Sequence, residues 1–148
     1  MRGLSILAVG SVTLLFILLS LGNTVAISSC SDGINNSGTF TLTTNISSNT
    51  SCLVINASDV LLDCAGNYIN FGGDGGSSKS AIKINPGFMR ITIRNCNIYK
   101  NGTLGSFYYG INAAVSGWNH TIINNSIYLA GADYLYTILF NASSFGLT

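Results

Sequence analysis

The feature that most constrains the fold is a repeat of 29 residues in the second half of the chain. Ala81 to Gly102 and Gly110 to Gly131 align without a gap, and a looser copy, Cys52 to Gly73, precedes them with turns that differ by two residues. A period of this length is typical of proteins built from stacked repeat units. The matching positions in the two closest copies include Ile82 with Ile111, Thr92 with Thr121, Ile93 with Ile122, Asn95 with Asn124, Ile98 with Ile127 and Tyr99 with Tyr128.

Apolar and polar residues alternate within each repeat, in short runs separated by Gly, Asn, Asp or Ser. Leu53-x-Ile55, Val60-x-Leu62 and Ile69-x-Phe71 are examples, and such alternation predicts β-strands with one buried face. Helical spacing over about ten residues is absent after the apolar N-terminal segment, and the pattern of leucine-rich repeats is absent too. The sequence therefore predicts an all-β fold, a short parallel β-helix of about three to four coils over residues 52–148 with an incomplete last coil.

The N-terminal segment has a different character. Leu4 to Leu21 is uncharged and apolar, and the small residues Thr24 and Ala26 follow it. This layout predicts a signal-peptide helix within residues 1–26, with cleavage after Ala26. The alternative is an uncleaved membrane anchor, because the stretch approaches the ~20 residues that span a bilayer. We expect the remainder to be secreted or exposed at the cell surface, in contact with a membrane only if the segment is uncleaved.

Charge is sparse and balanced. Charged residues make up 7% of the chain and the formal net charge is +1, whereas nucleic-acid binding needs a basic face, so nucleic acid is not an expected partner. Eight Asn-x-Ser/Thr sequons occur, and they predict glycosylation in an exported chain. The alternative is that Asn-rich turns and Thr-rich strands generate sequons without any glycan. The predicted glycosylation sites are Asn35, Asn45, Asn49, Asn56, Asn101 and Asn119.

Asn95 and Asn124 occupy equivalent positions in the two closest copies. If Ile91 and Ile93 point inward, period-two alternation places Asn95 inward as well, at a corner of the coil. We therefore predict an inward amide ladder of Asn95 and Asn124, because a buried amide is tolerated when a neighbouring coil satisfies its hydrogen bonds. An inward Asn124 could not carry a glycan, so its sequon is predicted to stay unmodified.

All four cysteines follow the N-terminal segment. An even number in an exported chain predicts two disulfides, and three pairings are possible. No Cys-x-x-Cys pair occurs and His120 is the only histidine, so a zinc site lacks its usual ligands and we expect neither a metal nor a cofactor. His120 is predicted to be a hydrogen-bonded structural residue. The cysteines are Cys30, Cys52, Cys64 and Cys96.

The segments VLLDCAGNYI, ITIRNCNIYKNG and HTIINNSIYLAG resemble repeats of the right-handed parallel β-helix family, especially archaeal surface proteins and the periplasmic copper-binding accessory-like group. The resemblance covers roughly residues 52–141, and it implies a right-handed coil. It also implies disulfides between Cys30 and Cys52 and between Cys64 and Cys96. It implies no single activity, because the family includes lyases, hydrolases, epimerases, adhesins and structural shells.

The two ends of the stack are expected to differ. Residues 27–51 are predicted to form an N-terminal β cap, in which Phe40 and Leu42 face the first coil and protect its open strand edges. No matching cap is evident after Asn141, where the last coil stops unfinished. The chain is therefore interpreted as either a truncated product or a protein that associates with another copy through its uncapped C-terminal coil.

Candidate catalytic and cation-binding residues are few, and we assign none. Asp63 aligns with Arg94 one coil later, which suggests either acid–base chemistry or a salt bridge between coils. The salt bridge is favoured because no second carboxylate aligns with Asp63. Asp74 lies in a glycine-rich segment that lacks a calcium-binding pattern and is interpreted as a surface loop.

Aromatic residues are the main candidate for ligand binding. Tyr99 and Tyr128 follow inward Ile98 and Ile127, so they are predicted to point outward and to stack between coils. Together with Trp118 they could contact carbohydrate, and the alternative is that they only stabilise neighbouring strands.

These patterns favour an exported, non-enzymatic cell-surface protein acting in adhesion, glycan contact or envelope structure. One alternative is a polysaccharide lyase or hydrolase of the β-helix type, or a truncated fragment of one. The other is a structural subunit that stacks on copies of itself.

Overall fold

The computed structural model describes residues 23–74, 78–100, 102, 107–113, 117–130 and 135–140. Their regular structure consists of thirteen β-strands, as the alternating pattern predicted. The strands are β1 Thr24–Ile27, β2 Gly38–Leu42, β3 Ile46–Ser47, β4 Leu53–Ile55, β5 Val60–Asp63, β6 Tyr68–Phe71, β7 Lys79–Ile84, β8 Ile91–Arg94, β9 Asn97–Lys100, β10 Tyr108–Ala113, β11 Thr121–Ile123, β12 Ser126–Tyr128 and β13 Leu135–Phe140.

The strands form three sheets in which neighbouring strands run parallel. Sheet A has the order β1-β2-β5-β8-β11, sheet B the order β13-β10-β7-β4, and sheet C the order β12-β9-β6-β3. From β2 onward, successive strands enter sheets A, C and B in rotation. We call each set of three a repeat: β2–β4 is the first repeat, β5–β7 the second, β8–β10 the third and β11–β13 the fourth.

Residues that match in the alignment of the sequence copies are paired with each other in the sheets. Ile93 pairs with Ile122 in sheet A, and Ile82 pairs with Ile111 in sheet B. The looser copy follows the same scheme, with Leu62 paired with Ile93. The predicted superposition of equivalent residues in successive repeats is therefore confirmed.

The core lies between the three sheets and is built from apolar columns that run through successive repeats. β-branched residues dominate these columns, since they suit a pleated surface and pack closely on it. Burial of each such side chain contributes about 1.5–3 kcal/mol. The columns contain Phe40, Leu62 and Ile93 in sheet A, Ile46, Ile69 and Ile98 in sheet C, and Leu53, Ile82 and Ile111 in sheet B, all of them buried.

Left-handed residues make the corner between sheets A and C, and they correct one prediction. Asn95 and Asn124 have φ values of 56° and 53°, Asn95 is half-buried and Asn124 is exposed. The predicted inward ladder of Asn95 and Asn124 is therefore wrong. A left-handed residue interrupts the period-two alternation, so the inward position passes to the next residue, Cys96, which is fully buried.

Amides do bridge the repeats, but at other positions. Asn125 follows Asn124, and its side chain accepts from the backbone N–H of Cys96 and donates to the carbonyl of Ile93, both at 2.9 Å. A ladder of asparagines forms where sheet B strands end: Asn85 donates to Asn56 at 2.6 Å, and Asn56 donates to Asn35 at 2.9 Å.

Two disulfides connect Cys30 with Cys52 and Cys64 with Cys96, which is the pairing implied by the family resemblance. The second bond joins the second repeat to the third. Two disulfides in a chain of this size are typical of an oxidising environment outside the cytoplasm.

The start of the fold differs from the predicted boundary. Cleavage after Ala26 would fall inside β1, whose residues Thr24–Ile27 pair with Thr39–Leu42 of β2. β2 and β3 are regular strands that pair with β5 and β6, so the predicted cap is continuous with the sheets. Residues 1–22 lie outside the described part of the chain. Within the described part, no helix is long and apolar enough to cross a membrane.

Candidate functional site

A row of tyrosines runs along the outer face of sheet C. Tyr68, Tyr99 and Tyr128 come from β6, β9 and β12 of three successive repeats, and we call them the tyrosine column. Each is adjacent to a residue that faces the core, Ile69, Ile98 or Ile127, so alternation directs the rings outward. The structure thus brings Tyr99 and Tyr128 together as predicted.

The rings of the column are close but tilted. The centroids of Tyr68 and Tyr99 are 5.4 Å apart with planes at 68°, and those of Tyr99 and Tyr128 are 6.4 Å apart at 49°. Tyr68 is 44% and Tyr128 is 63% exposed, whereas Tyr99 between them is half-buried. Because neither pair is parallel, the rings leave part of their faces uncovered.

Tyr68 was missed by the sequence reasoning. It pairs with Asn97, and Asn70 pairs with Tyr99, so Tyr68 lies diagonally from Tyr99 rather than opposite it. The available signal was the spacing of two residues between Tyr68 and Asn70, which places both on one face of β6. The backbone N–H of Tyr68 is also fixed by a 2.9 Å hydrogen bond to the side chain of Asn45.

Uncharged polar side chains lie beside the column on the same face. Asn70 and Asn97 are half-buried, and Ser126 pairs with Asn97 in the next repeat. Asn97 donates to the carbonyl of Gly66 at 2.7 Å, which fixes its side chain. Flat apolar rings beside amide and hydroxyl groups match the alternating C–H faces and hydroxyls of a sugar.

The other aromatic residues lie elsewhere. Tyr109 and Tyr136 stack in sheet B at 5.4 Å and 16°, so each ring covers a face of the other. Trp118 is exposed, but it precedes β11 at the corner between sheets B and A, where its carbonyl accepts from the N–H of Arg90. The structure does not bring Trp118 to the tyrosine column.

The carboxylates at the two ends of β5, the central strand of sheet A, pair with arginines. Asp59 accepts two hydrogen bonds from Arg90, at 2.6 and 2.8 Å, and the guanidinium lowers the pKa of Asp59. Asp63 accepts from Arg94 at 2.8 Å, which is the expected salt bridge between repeats. Partial burial opposes ionisation of Asp63, but hydrogen bonds from Asn95, the backbone of Ala65 and Arg94 outweigh it and lower the pKa.

A second charged cluster lies at the corner between sheets C and B, where the strands of sheet C end and those of sheet B begin. Lys79 and Asp74 approach within 3.3 Å, and the Lys100 ammonium lies 4.5 Å from the ring centroid of Tyr108. Burial and the charge of Asp74 raise the pKa of Tyr108, and burial lowers the pKa of Lys100. No group of three His, Cys, Asp or Glu residues that could hold a metal ion occurs in the described segments.

His120 differs from the expectation of a hydrogen-bonded residue. It is 4% exposed, and neither ring nitrogen has a hydrogen-bond partner within the described part of the chain. Its neighbour Thr121 pairs with Thr92, so His120 occupies the slot of Ile91 in an apolar column. Burial lowers the pKa of His120.

The predicted glycosylation sites have unequal surroundings. Asn56 lies between Asn35 and Asn85 in the asparagine ladder and is half-buried, so its amide is the least able to carry a sugar. Asn124 is exposed and does not face the core, so burial does not prevent modification of its sequon. Asn101 lies outside the described residues. The predicted sites with exposed side chains are Asn35, Asn45, Asn49 and Asn119.

No family model matches the chain, and no match was found among curated proteins or solved structures.

Proposed function

We propose that the three sheets are the faces of a short right-handed parallel β-helix, exported and exposed at a cell surface, that binds carbohydrate without acting on it. The rotation of strands among three parallel sheets and the register of 29 residues support the coil. The right hand follows the strong preference of connections between parallel strands. Adhesion, glycan contact and envelope structure are the roles that such a protein serves.

The observation that carries the proposal is the tyrosine column. Its centroid separations of 5.4 and 6.4 Å allow an extended saccharide to contact two or three rings at once. Asn70, Asn97 and Ser126 supply hydrogen-bonding groups beside the rings without any charge. Several weak contacts on one ligand add through a high effective concentration, so binding is expected to strengthen with saccharide length.

The arrangement of carboxylates favours binding over catalysis. Asp59, Asp63 and Asp74 each have a cationic partner, Arg90, Arg94 and Lys79 respectively. A glycoside hydrolase needs two carboxyl groups that face the substrate, one of them with a raised pKa. The lowered pKa values of Asp59 and Asp63 are the opposite of that requirement.

Glycan-array binding followed by titration with the best oligosaccharide tests the proposal. Tyr128→Ala removes the most exposed ring of the column and is expected to weaken binding by about tenfold, which corresponds to ~1.4 kcal/mol. Tyr99→Ala removes the central ring and is expected to weaken it further. Tyr128→Phe retains the ring and should bind within about threefold of the unsubstituted chain, because stacking does not need the hydroxyl.

Tyr136→Ala is the matched control, since Tyr136 is an exposed tyrosine of sheet B away from the column. It should leave affinity unchanged. Equal binding by Tyr99→Ala, Tyr128→Ala and the unsubstituted chain, with unchanged thermal unfolding, would rule the column out. Absence of binding to every saccharide on the array would reject the proposal as a whole.

A further inference from the structure

Among the described residues, core positions in the fourth repeat are more exposed than their partners in the third repeat. Ile138 is 36% exposed, although Ile111, its partner in sheet B, is fully buried. Ile122 in sheet A and Ile127 in sheet C are half-buried, while the residues they pair with in the third repeat are fully buried. All three sheets therefore present core residues at this surface, which we call the open end.

The strands at the open end also carry unpaired edges. Within the described residues, β11, β12 and β13 are the last strands of sheets A, C and B. Each presents a row of backbone N–H and C=O groups on the side that faces away from the third repeat. Apolar side chains flanked by strand edges form a template for the addition of further parallel strands.

The opposite end offers a complementary surface. β1 is the outermost strand of sheet A, and Val25 occupies the core slot below Phe40, with which it pairs. Val25 is nevertheless 50% exposed. Next to it, a recess of about 300 Å³ is lined by Val25, Ile27, Ile34 and Phe40, among others.

Translation along the stack relates the two ends. The same column contains Val25, Phe40, Leu62, Ile93 and Ile122. A second copy displaced along this direction can pair its β1 with β11 in parallel, as β8 already does, and place Val25 over Ile122. A two-fold contact between two open ends would instead set the strands antiparallel.

We propose that the protein associates end to end, with the open end of one copy receiving β1 and the recess of the next. The contact is heterologous, so it continues into a linear chain of copies unless one end is blocked. The occupant of the open end is thus a second copy of this chain.

Light scattering of the full chain over a range of concentrations tests the association, in a detergent that shields the apolar segment 4–21. The mass is expected to rise with concentration to at least twice that of the monomer. Val25→Asp blocks the β1 end and Ile138→Asp blocks the open end, so each variant alone should remain monomeric. Mixed in equal amounts, the two variants should form a dimer through their remaining intact ends.

Ile123→Asp is the matched control, because Ile123 is an isoleucine of β11 that is 45% exposed on the outer face. It should associate like the unsubstituted chain. A monomer at every concentration would overturn the proposal. So would association of both blocked variants, which would indicate another surface, or self-association of Val25→Asp alone, which would indicate contact between two open ends.

A cross-link that leaves the core intact provides a second test. Thr24 and Thr121 are the first and last members of one outward column of sheet A, so the contact places them on adjacent strands, about 4.8 Å apart. The double variant Thr24→Cys/Thr121→Cys should form a ladder of covalent multimers on oxidation. Thr24→Cys/Thr92→Cys, with Thr92 inside the stack, should form none. Equal ladders from both variants would contradict the geometry.

Discussion

His120 is the single residue whose environment has the clearest thermodynamic consequence. Both ring nitrogens are buried without a hydrogen-bond partner among the described residues, and burial lowers the pKa from 6.5. The unfolded chain therefore binds a proton more readily than the folded one. Stability linked to neutral His120 is fully present above about pH 6.5 and is lost as the pH falls from there through the lower pKa of the folded state.

We expect His120→Ile to remove this pH dependence and to raise the free energy of unfolding by about 1–3 kcal/mol, the usual cost of unsatisfied buried polar groups. The substitution restores the apolar residue that Ile91 supplies one repeat earlier. Urea unfolding at pH 7.5 and 5.5 is the measurement. The unsubstituted chain should lose stability between these values and the variant should not. An identical loss in both would assign the pH dependence to other groups.

The error over Asn95 has a physical origin at the same scale. Alternation predicts which face a side chain occupies only while the backbone stays extended, and a left-handed residue resets it. Asparagine adopts the left-handed conformation more readily than most residues. An asparagine in this position is therefore compatible both with a left-handed corner and with a buried amide ladder, and the sequence alone does not distinguish them. Arg90, with φ of 56°, shows that such positions also accept residues without any turn preference.

At the scale of elements, strands with regular alternation were predictable and β1 was not. Thr24–Ile27 adjoins the apolar segment, so its sequence reads as part of a leader. Pairing with β2 makes it the outermost strand of sheet A and places it over Phe40. The asparagine ladder was equally hidden. Asn56 and Asn85 follow strands of two sequence copies, whereas Asn35 lies before β2 in the segment predicted as a cap, outside the repeat.

If the chain is exported and its leader removed, as we propose, the pairing of β1 predicts where the product begins. We expect mature protein to retain Thr24–Ile27, because removal of three of these residues leaves the edge of β2 and Phe40 uncovered. Intact mass spectrometry of exported protein measures this directly. A variant that begins at Ile27 should unfold at a lower temperature than one that begins at Asn23. Exported protein that begins at Ile27 with undiminished stability would contradict the assignment of β1.

At the scale of the molecule, the order of strands within each sheet was predictable from the repeat, because each strand pairs with its equivalent one repeat away. The function did not follow in the same way. Tyr99 and Tyr128 hold equivalent positions and were predictable as neighbours. Tyr68 pairs with Asn97 and Asn70 pairs with Tyr99, so the contribution of β6 to this surface is visible only once the strands lie side by side.

The two disulfides are expected to stabilise different parts of the fold. Cys64–Cys96 closes a separation of 32 residues between interior repeats, and its removal should lower the free energy of unfolding by about 3–4 kcal/mol. The double variant Cys64→Ser/Cys96→Ser, studied by chemical denaturation, measures this loss. Cys30→Ser/Cys52→Ser is the comparison, with a separation of 22 residues at one end of the stack.

Because a terminal repeat contacts a neighbour on one side only, loss of Cys30–Cys52 should increase hydrogen exchange mainly in β1 and around Ile34. Loss of Cys64–Cys96 should increase exchange across the second and third repeats. The same exchange pattern in both variants would show that the sheets unfold as one unit.

The corner between sheets A and C determines which insertions and duplications such a chain can accept during evolution. Val60 pairs with Ile91 at an offset of 31 residues, whereas Ile69 pairs with Ile98 at 29, so the corner absorbs two residues without disturbing either strand. Duplication of a whole repeat would add three strands that pair with the equivalent strands of the neighbouring repeats. Small insertions at a corner would then be tolerated. An insertion of one residue within a strand would instead turn its core-facing side chains toward solvent and its outward side chains toward the core.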